Sequence, residues 1–181
     1  MANLVYVNEG TAIVWADHAG DFGDSPIAST HQITLAALAS TAARQGVKVD
    51  LGDPRAELYE VTLILEWDVA PADGASAKLY FAPSHHATAG TANPGGVSGT
   101  DAAYTGTAGS TIAESLQQCD LAVILPCTND ADTIIQQKTA KYRPHSRYIS
   151  PVVVNEGGQA LEGDDIEMSI TMIPVPREVQ G

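Results

Sequence analysis

The chain has 181 residues, the length of one domain, and 44% of them are hydrophobic, enough for a sizeable core. Nine Lys and Arg against 22 Asp and Glu leave a formal charge of −13, which repels nucleic-acid phosphates and anionic membrane surfaces. No direct nucleic-acid or membrane partner is therefore expected, and no window approaches the run of about 18 apolar residues that a spanning helix needs.

In chain order, the opening MANLVYVNEG lacks a basic stretch followed by an apolar run, so no secretory signal is expected. Short apolar runs at Leu4–Val7, Thr11–Trp15, Ile33–Leu35 and Lys48–Leu51 read as strands, separated by turn signals such as Asn8-Glu9-Gly10 and Gly52-Asp53-Pro54. Between them the alanine-rich Leu35–Ala43 predicts a helical turn or two. The clearest signal is period two over Glu57–Val69: odd positions from Tyr59 to Val69 are apolar and even ones polar except Ile64. After the turn at 70–74, Ser76–Phe81 reads as its hairpin partner. Ile112–Gln118 predicts a second short helix capped by Thr111 or Ser110. Leu121–Leu125, Thr133–Gln137, Tyr148–Val154 and the alternating Ile166–Met172 complete the strand set, the last ended by Pro174 and Pro176. The tetrapeptide VNEG recurs at 7–10 and 154–157 and reads as reused turn chemistry. Many short strands with long connections and no linker predict one all-β domain over 1–181, an antiparallel β-sandwich of jelly-roll-like type with one or two short helical turns.

Cys119 and Cys127 flank the apolar DLAVILP; a strand there holds them too far apart for a disulfide, so free thiols in a reducing compartment are expected. The Gly/Ala/Thr-rich segment at about 83–110 has almost no large aliphatic side chain. It lacks the Lys-Ser/Thr ending of a phosphate loop, and adjacent His85 and His86 on a strand point to opposite faces, so neither a phosphate nor a metal site is predicted. Asp17, Asp21 and Asp24 do not follow calcium-loop spacing, and no nucleophile motif accompanies His18, His31, His85, His86 or His145. No catalytic residue, cofactor or metal ligand is assigned, and the protein is expected not to be an enzyme. The long segment reads instead as an arm lying on another subunit, with turns at Pro94 and its neighbouring glycines and Tyr104 as its one large exposed anchor. A second contact candidate is KTAKYRPHSR, where Lys138, Lys141, Arg143 and Arg147 interleave with Tyr142 in an otherwise acidic chain. Trp15 and Trp67 lie in apolar stretches and read as core.

The stretches ARQGVKVDLGDPRA (43–56), TAGTANPGGVSGTDAAYTG (88–106), SPVVVNEGGQAL (150–161) and DIEMSITMIP (165–174) resemble small structural proteins of tailed-bacteriophage virions, of the kind that decorate or cement the capsid. That resemblance implies a non-enzymatic jelly-roll-like sandwich that binds assembled major capsid protein on the virion surface, often as a trimer, after synthesis in the host bacterial cytoplasm. It fixes no functional residue. A tail, neck or head-fibre structural protein and a jelly-roll carbohydrate-binding module are the alternatives; a sugar face needs an exposed aromatic, for which Tyr104 is the candidate.

Overall fold

The computed structural model describes residues 4–6, 11–16, 29–132, 134–164, 167–175 and 178–180. In chain order the strands are β1 (Leu4–Tyr6), β2 (Ile13–Ala16), β3 (His31–Gln32), β4 (Ala43–Gln45), β5 (Val49–Asp50), β6 (Tyr59–Glu66) and β7 (Ser76–Ser84). There follow β8 (Ala102–Ala103), the helix α1 (Ile112–Leu116), β9 (Asp120–Pro126), β10 (Ile135–Tyr142), β11 (Tyr148–Glu156), β12 (Ser169–Pro174) and β13 (Glu178–Gln180). One sheet runs β10-β6-β12-β2-β3 and the other β8-β4-β11-β7-β9, with β5 also on β11; β1 pairs separately with β13. All pairings are antiparallel except β2 with β3. Within the two sheets, take β2, β4, β6, β7, β9, β10, β11 and β12 as the first to eighth strands, leaving aside the two-residue β3, β5 and β8. The sheets then read sixth-third-eighth-first and second-seventh-fourth-fifth, which is jelly-roll order. The all-β sandwich expected from the sequence is the observed fold.

The period-two signal does what it should in β6: Tyr59, Val61, Leu63 and Leu65 are buried, and the residues between them are not. They meet Leu79 and Phe81 of β7, Ile149 and Val153 of β11 and Trp15 of β2 in one core between the sheets. Trp15, Phe81 and Tyr142 stack in sequence, at centroid distances of 5.8 and 4.8 Å, and so tie the two sheets through their aromatic centres.

Several expectations are corrected. The β6–β7 hairpin does not form, because β6 pairs with β10 and β12 while β7 pairs with β11 and β9, so the 67–75 connection carries the chain from one sheet to the other. Regular alternation also ends early: the strand stops at Glu66, Trp67 bridges to Leu161, and Val69 is 50% exposed. Leu35–Ala43 is not helical. It makes two tight turns, with left-handed φ at Ala37 and Thr41, and its last residue opens β4. Burial of Leu35 and Ala43 and the pairing of β4 with β11 override alanine's helix preference. The strand expected at Ile33–Leu35 falls one turn earlier, at His31–Gln32. The expected strand over Ile166–Met172 begins at Ser169, with Ile166 outside the described residues, as is Thr133 of the strand that begins at Ile135. The helix at Ile112 forms as expected. Thr111 accepts from the Glu114 amide, and Glu114 accepts back from the Thr111 amide, closing a capping box.

The segment 85–111 is a folded layer rather than an arm. β11 is apolar on both faces, and its outer residues Val152 and Val154, with Ala43 and Ala82, need cover. Val97, Tyr104 and Leu116 supply it, forming a second core outside the sheet. The layer is anchored through polar residues of the sandwich. Lys48, buried, donates from Nζ to Ser84 Oγ (3.1 Å) and to the carbonyls of His86 (3.0 Å), Thr88 (2.8 Å) and Thr91 (3.0 Å). Its ammonium is the charged donor on which these carbonyls converge; Ser84 Oγ also donates to the His86 and Thr91 carbonyls, and the Thr91 amide to that of Thr88. Asp101 accepts from Thr34 Oγ1 (2.6 Å) and Arg44 Nε (2.7 Å), and Gln45 clamps the Ser98 amide and the Ala103 carbonyl. Gly99, at φ +69°, lies against Ala89 so closely that a Cβ would run into its backbone.

Lys48→Met is expected to lower stability by about 1.5–3 kcal/mol, the loss of the buried charged donor on which the layer's carbonyls converge. Urea denaturation followed by tryptophan fluorescence would measure it, with earlier proteolytic cleavage inside 85–92; an unchanged midpoint would contradict the anchoring role.

Candidate functional site

The residues singled out from the sequence do not form one surface. Pro94 is half-buried at the start of a 3₁₀ turn, Pro94–Gly96, within the folded layer. Tyr104 is not an exposed anchor. It is 2% exposed, and its hydroxyl donates to the Gly95 carbonyl at 2.6 Å. Burial pushes its phenol up to about 12, with further help from nearby Cys119. In a loop of small residues Tyr104 is the largest side chain available to the second core, which it enters with Val97. Tyr142 is likewise buried, stacked on Phe81, and its hydroxyl donates to Asp120 at 2.9 Å. Burial, then the Asp120 charge, pushes its phenol well above the usual tyrosine range.

Arg147 is exposed but committed: its guanidinium grips Asp50 through Nε and Nη2, both at 2.8 Å, and lies 5.3 Å from the Tyr148 ring. The Arg147 hydrogen bond, outweighing partial burial, holds the Asp50 carboxyl below its usual range. The remaining cations divide cleanly. Arg177 lies outside the described residues. Arg44 pairs with Asp101, Lys78 with Glu156, Lys48 sits in its carbonyl cage, and Arg55 donates to the His145 carbonyl. Among the described residues, Lys138, Lys141 and Arg143 alone have no such partner, and all three are exposed along β10 and the residues just after it.

β10 is the edge of its sheet, and the edge of the other sheet, β9, runs beside it. Side chains close the sandwich along this seam. Gln136 of β10 accepts from the Thr128 amide and donates to its carbonyl, and Tyr142 reaches Asp120 at the other end. β9 also carries what the sequence reading missed. Leu121 and Ile124 are 48% and 47% exposed, although both belong to the apolar DLAVILP run. A register shift opposite Leu79/Tyr80 puts them on the outer face with Tyr80 and Lys78, while Val123 and Leu125 enter the core. The β9–β10 edge therefore carries exposed apolar residues on one strand and cations without an ion-pair partner on the other.

Two clefts border this region. One, of about 480 Å³, sets Arg55 and Arg143 against Asp53 and Glu57, so its charge is balanced. The other, of about 490 Å³, lies between α1 and the outer sheet face, lined by Tyr80, Ile112, Leu116 and Val154 beside the Lys78–Glu156 pair.

The two cysteines are free, as expected; burial pushes the Cys119 thiol up to about 12 and raises that of Cys127, leaving both as neutral thiols of low reactivity. His85, His86 and His145 are exposed, and the His86 ring accepts from the Thr88 amide. The Asp17–Asp24 loop and His18 lie outside the described residues. At the far end of β6, carboxylate oxygens of Glu66, Asp164 and Glu167 lie within 4.8 Å of one another. Burial first, then a hydrogen bond that protonated Glu66 donates to Glu167 and repulsion by Glu167, and finally repulsion by Asp164 and Glu162, raise Glu66 to about 7. The cluster is thus a proton-sharing pair of carboxyls with further acids beside it.

No protein-family model matches the chain, and no curated protein is significantly similar to it.

Because Glu66 binds its proton more tightly folded than unfolded, stability is highest below about pH 4.5 on its account and declines as pH rises to about 7. Glu66→Gln should flatten that part of the stability–pH curve and raise Tm at pH 8 by roughly 2–4 °C, after allowing for solvent screening. Calorimetric scans from pH 5 to 8 would show it; parallel curves for the two proteins would refute the carboxyl pair.

Proposed function

We propose that the protein is a virion decoration protein: a non-enzymatic jelly-roll sandwich that binds assembled major capsid protein and stabilises a phage head, with trimers at local threefold positions as the favoured arrangement. The observation that carries this reading is the β9–β10 side of the molecule. There Leu121 and Ile124 stand exposed on β9, and on the neighbouring edge strand β10 Lys138 and Lys141 are exposed without an ion-pair partner among the described residues. Exposed apolar side chains and uncommitted charge near one edge are what a docking face needs, since apolar burial supplies affinity and charge supplies orientation and selectivity. The rest of the architecture suits the role. The sandwich is tied along its β9–β10 seam, the long connection is spent on covering β11, and many copies on a lattice let modest single contacts accumulate. The resemblance of residues 43–56, 88–106, 150–161 and 165–174 to phage decoration proteins points the same way. The carbohydrate-binding alternative loses its platform, because Tyr104, Trp15 and Trp67 are all buried.

Purified protein mixed with capsids lacking it should co-sediment at a fixed stoichiometry. Failure to co-sediment would overturn the decoration reading, and binding to arrayed glycans would favour the sugar-binding one.

A further inference from the structure

We propose that the four oxygens gathered around Lys48 Nζ form a monovalent-cation site. The wild type fills it with its own ammonium group, and it accepts free K⁺, NH₄⁺ or a small alkylammonium when that side chain is shortened. Ser84 Oγ and the carbonyls of His86, Thr88 and Thr91 lie 2.8–3.1 Å from Nζ. All four present lone pairs to it. Ser84 Oγ is an acceptor there because its own proton serves the His86 and Thr91 carbonyls, at 3.3 and 3.1 Å. A buried water needs donors as well as acceptors around it, and none of these four atoms donates into the seat. A cation needs acceptors only. An ammonium brings three protons to four oxygens, whereas a spherical ion meets all of them at once, as K⁺ does where carbonyls replace its hydration shell. No carboxylate is among the four, so the seat lacks the charged oxygens with which proteins hold Ca²⁺ or Mg²⁺.

Most of the seat is built without Lys48. The Thr91 amide donates to the Thr88 carbonyl (3.1 Å), the Thr88 amide to His86 Nδ1 (3.1 Å) and the His86 amide to Ser84 Oγ (3.2 Å). Asn93 Nδ2 holds the Ala89 carbonyl at 2.6 Å, and Gly99 packs against the same residue. These contacts keep the oxygens converging when the lysine is cut back. The floor is buried, with Lys48 9% and Ser84 1% exposed, while residues 85–88 above it are exposed and give a small ion a short route from solvent. The chain's charge of −13 draws cations toward it. None of these residues belongs to the β9–β10 edge, so the seat does not depend on what that edge binds.

The test uses the full chain carrying Lys48→Ala, with Tm measured in KCl, NH₄Cl, propylammonium chloride, LiCl and tetramethylammonium chloride at one ionic strength. Propylammonium replaces the lost stem and head together. It, K⁺ and NH₄⁺ should each raise the Tm of the variant saturably, by about 3–6 °C at ten times the dissociation constant, and slow proteolysis within 85–92. Li⁺, small and tightly hydrated, and tetramethylammonium, bulky and without an N–H, should not. The wild type and Lys48→Met, whose side chains fill the seat, should show no such selectivity. Equal responses of Lys48→Ala to all the salts, no response to any, or the same selectivity in Lys48→Met would each overturn the proposal. So would a Lys48→Ala chain that stays unfolded in every salt while Lys48→Met folds. Should neither variant fold, nitrogen-15 NMR of the wild type decides. Lys48 Nζ should then appear at neutral pH as a protonated ammonium in slow exchange with water, and a neutral or rapidly exchanging amine would refute a cation seat.

Discussion

The fold is governed by β11 having no solvent face. Ile149, Val152, Val153 and Val154 are all buried, although adjacent residues of a strand point to opposite sides. One set enters the core between the sheets; the other would face water in a simple two-layer sandwich. Burying an aliphatic side chain is worth about 1.5–3 kcal/mol, so leaving Val152 and Val154 exposed would forfeit much of the few kcal/mol of net stability such a domain has. A third layer is therefore required, and residues 85–111, with Leu116 of α1, are that layer.

A covering segment made of Gly, Ala, Thr and Ser has little apolar surface with which to fix itself, and its backbone polar groups still need partners. The sandwich provides them. Lys48 holds the carbonyls of 86–91, Gln45 holds the chain at 98 and 103, and Asp101 ties back to Arg44 and Thr34. Asn155 does similar work on the neighbouring connections. Fully buried, it donates to the Leu38 and Gln159 carbonyls and accepts from the Gly157 amide, so the second VNEG is a strand end that pins two loops. Small residues in the layer let its backbone approach the sheet, and glycines at positive φ, Gly99 among them, make the turns. What the layer leaves uncovered is the β9–β10 edge, with Leu121 and Ile124 exposed on the one strand and Lys138 and Lys141 on the other.

Much of this was legible in the sequence where one face of an element is decided locally. The alternation from Tyr59 to Trp67, the buried tryptophans and the Thr111 capping box all follow from side chains within a few positions of each other. What the sequence hid depends on partners far along the chain. The β6–β7 connection looks like a hairpin because turn chemistry is the same whether the next strand pairs or crosses to the other sheet. Tyr104 looks exposed because its loop is polar, yet its burial is set by Val152 and Val154, some fifty residues on. The uninterrupted VVV of β11 was the available signal, since a strand buried on both faces loses alternation. Of the basic cluster, Lys138, Lys141 and Arg143 remain a usable surface, while Arg147 is taken by Asp50, a pairing that only the β5–β11 register creates.

The claim on which everything else rests is that the long segment is an integral layer of the fold. Native-state hydrogen exchange tests it residue by residue. The amides of Ser98 and Tyr104, bonded to the Gln45 side chain and the Ala43 carbonyl, and that of Lys48, bonded to the Gly99 carbonyl, report on it directly. Protection of these three within about tenfold of the β7 and β11 amides is the predicted result. Exchange at the rate of free peptide across 93–104, with β7 and β11 still protected, would contradict it and return the segment to the status of an arm.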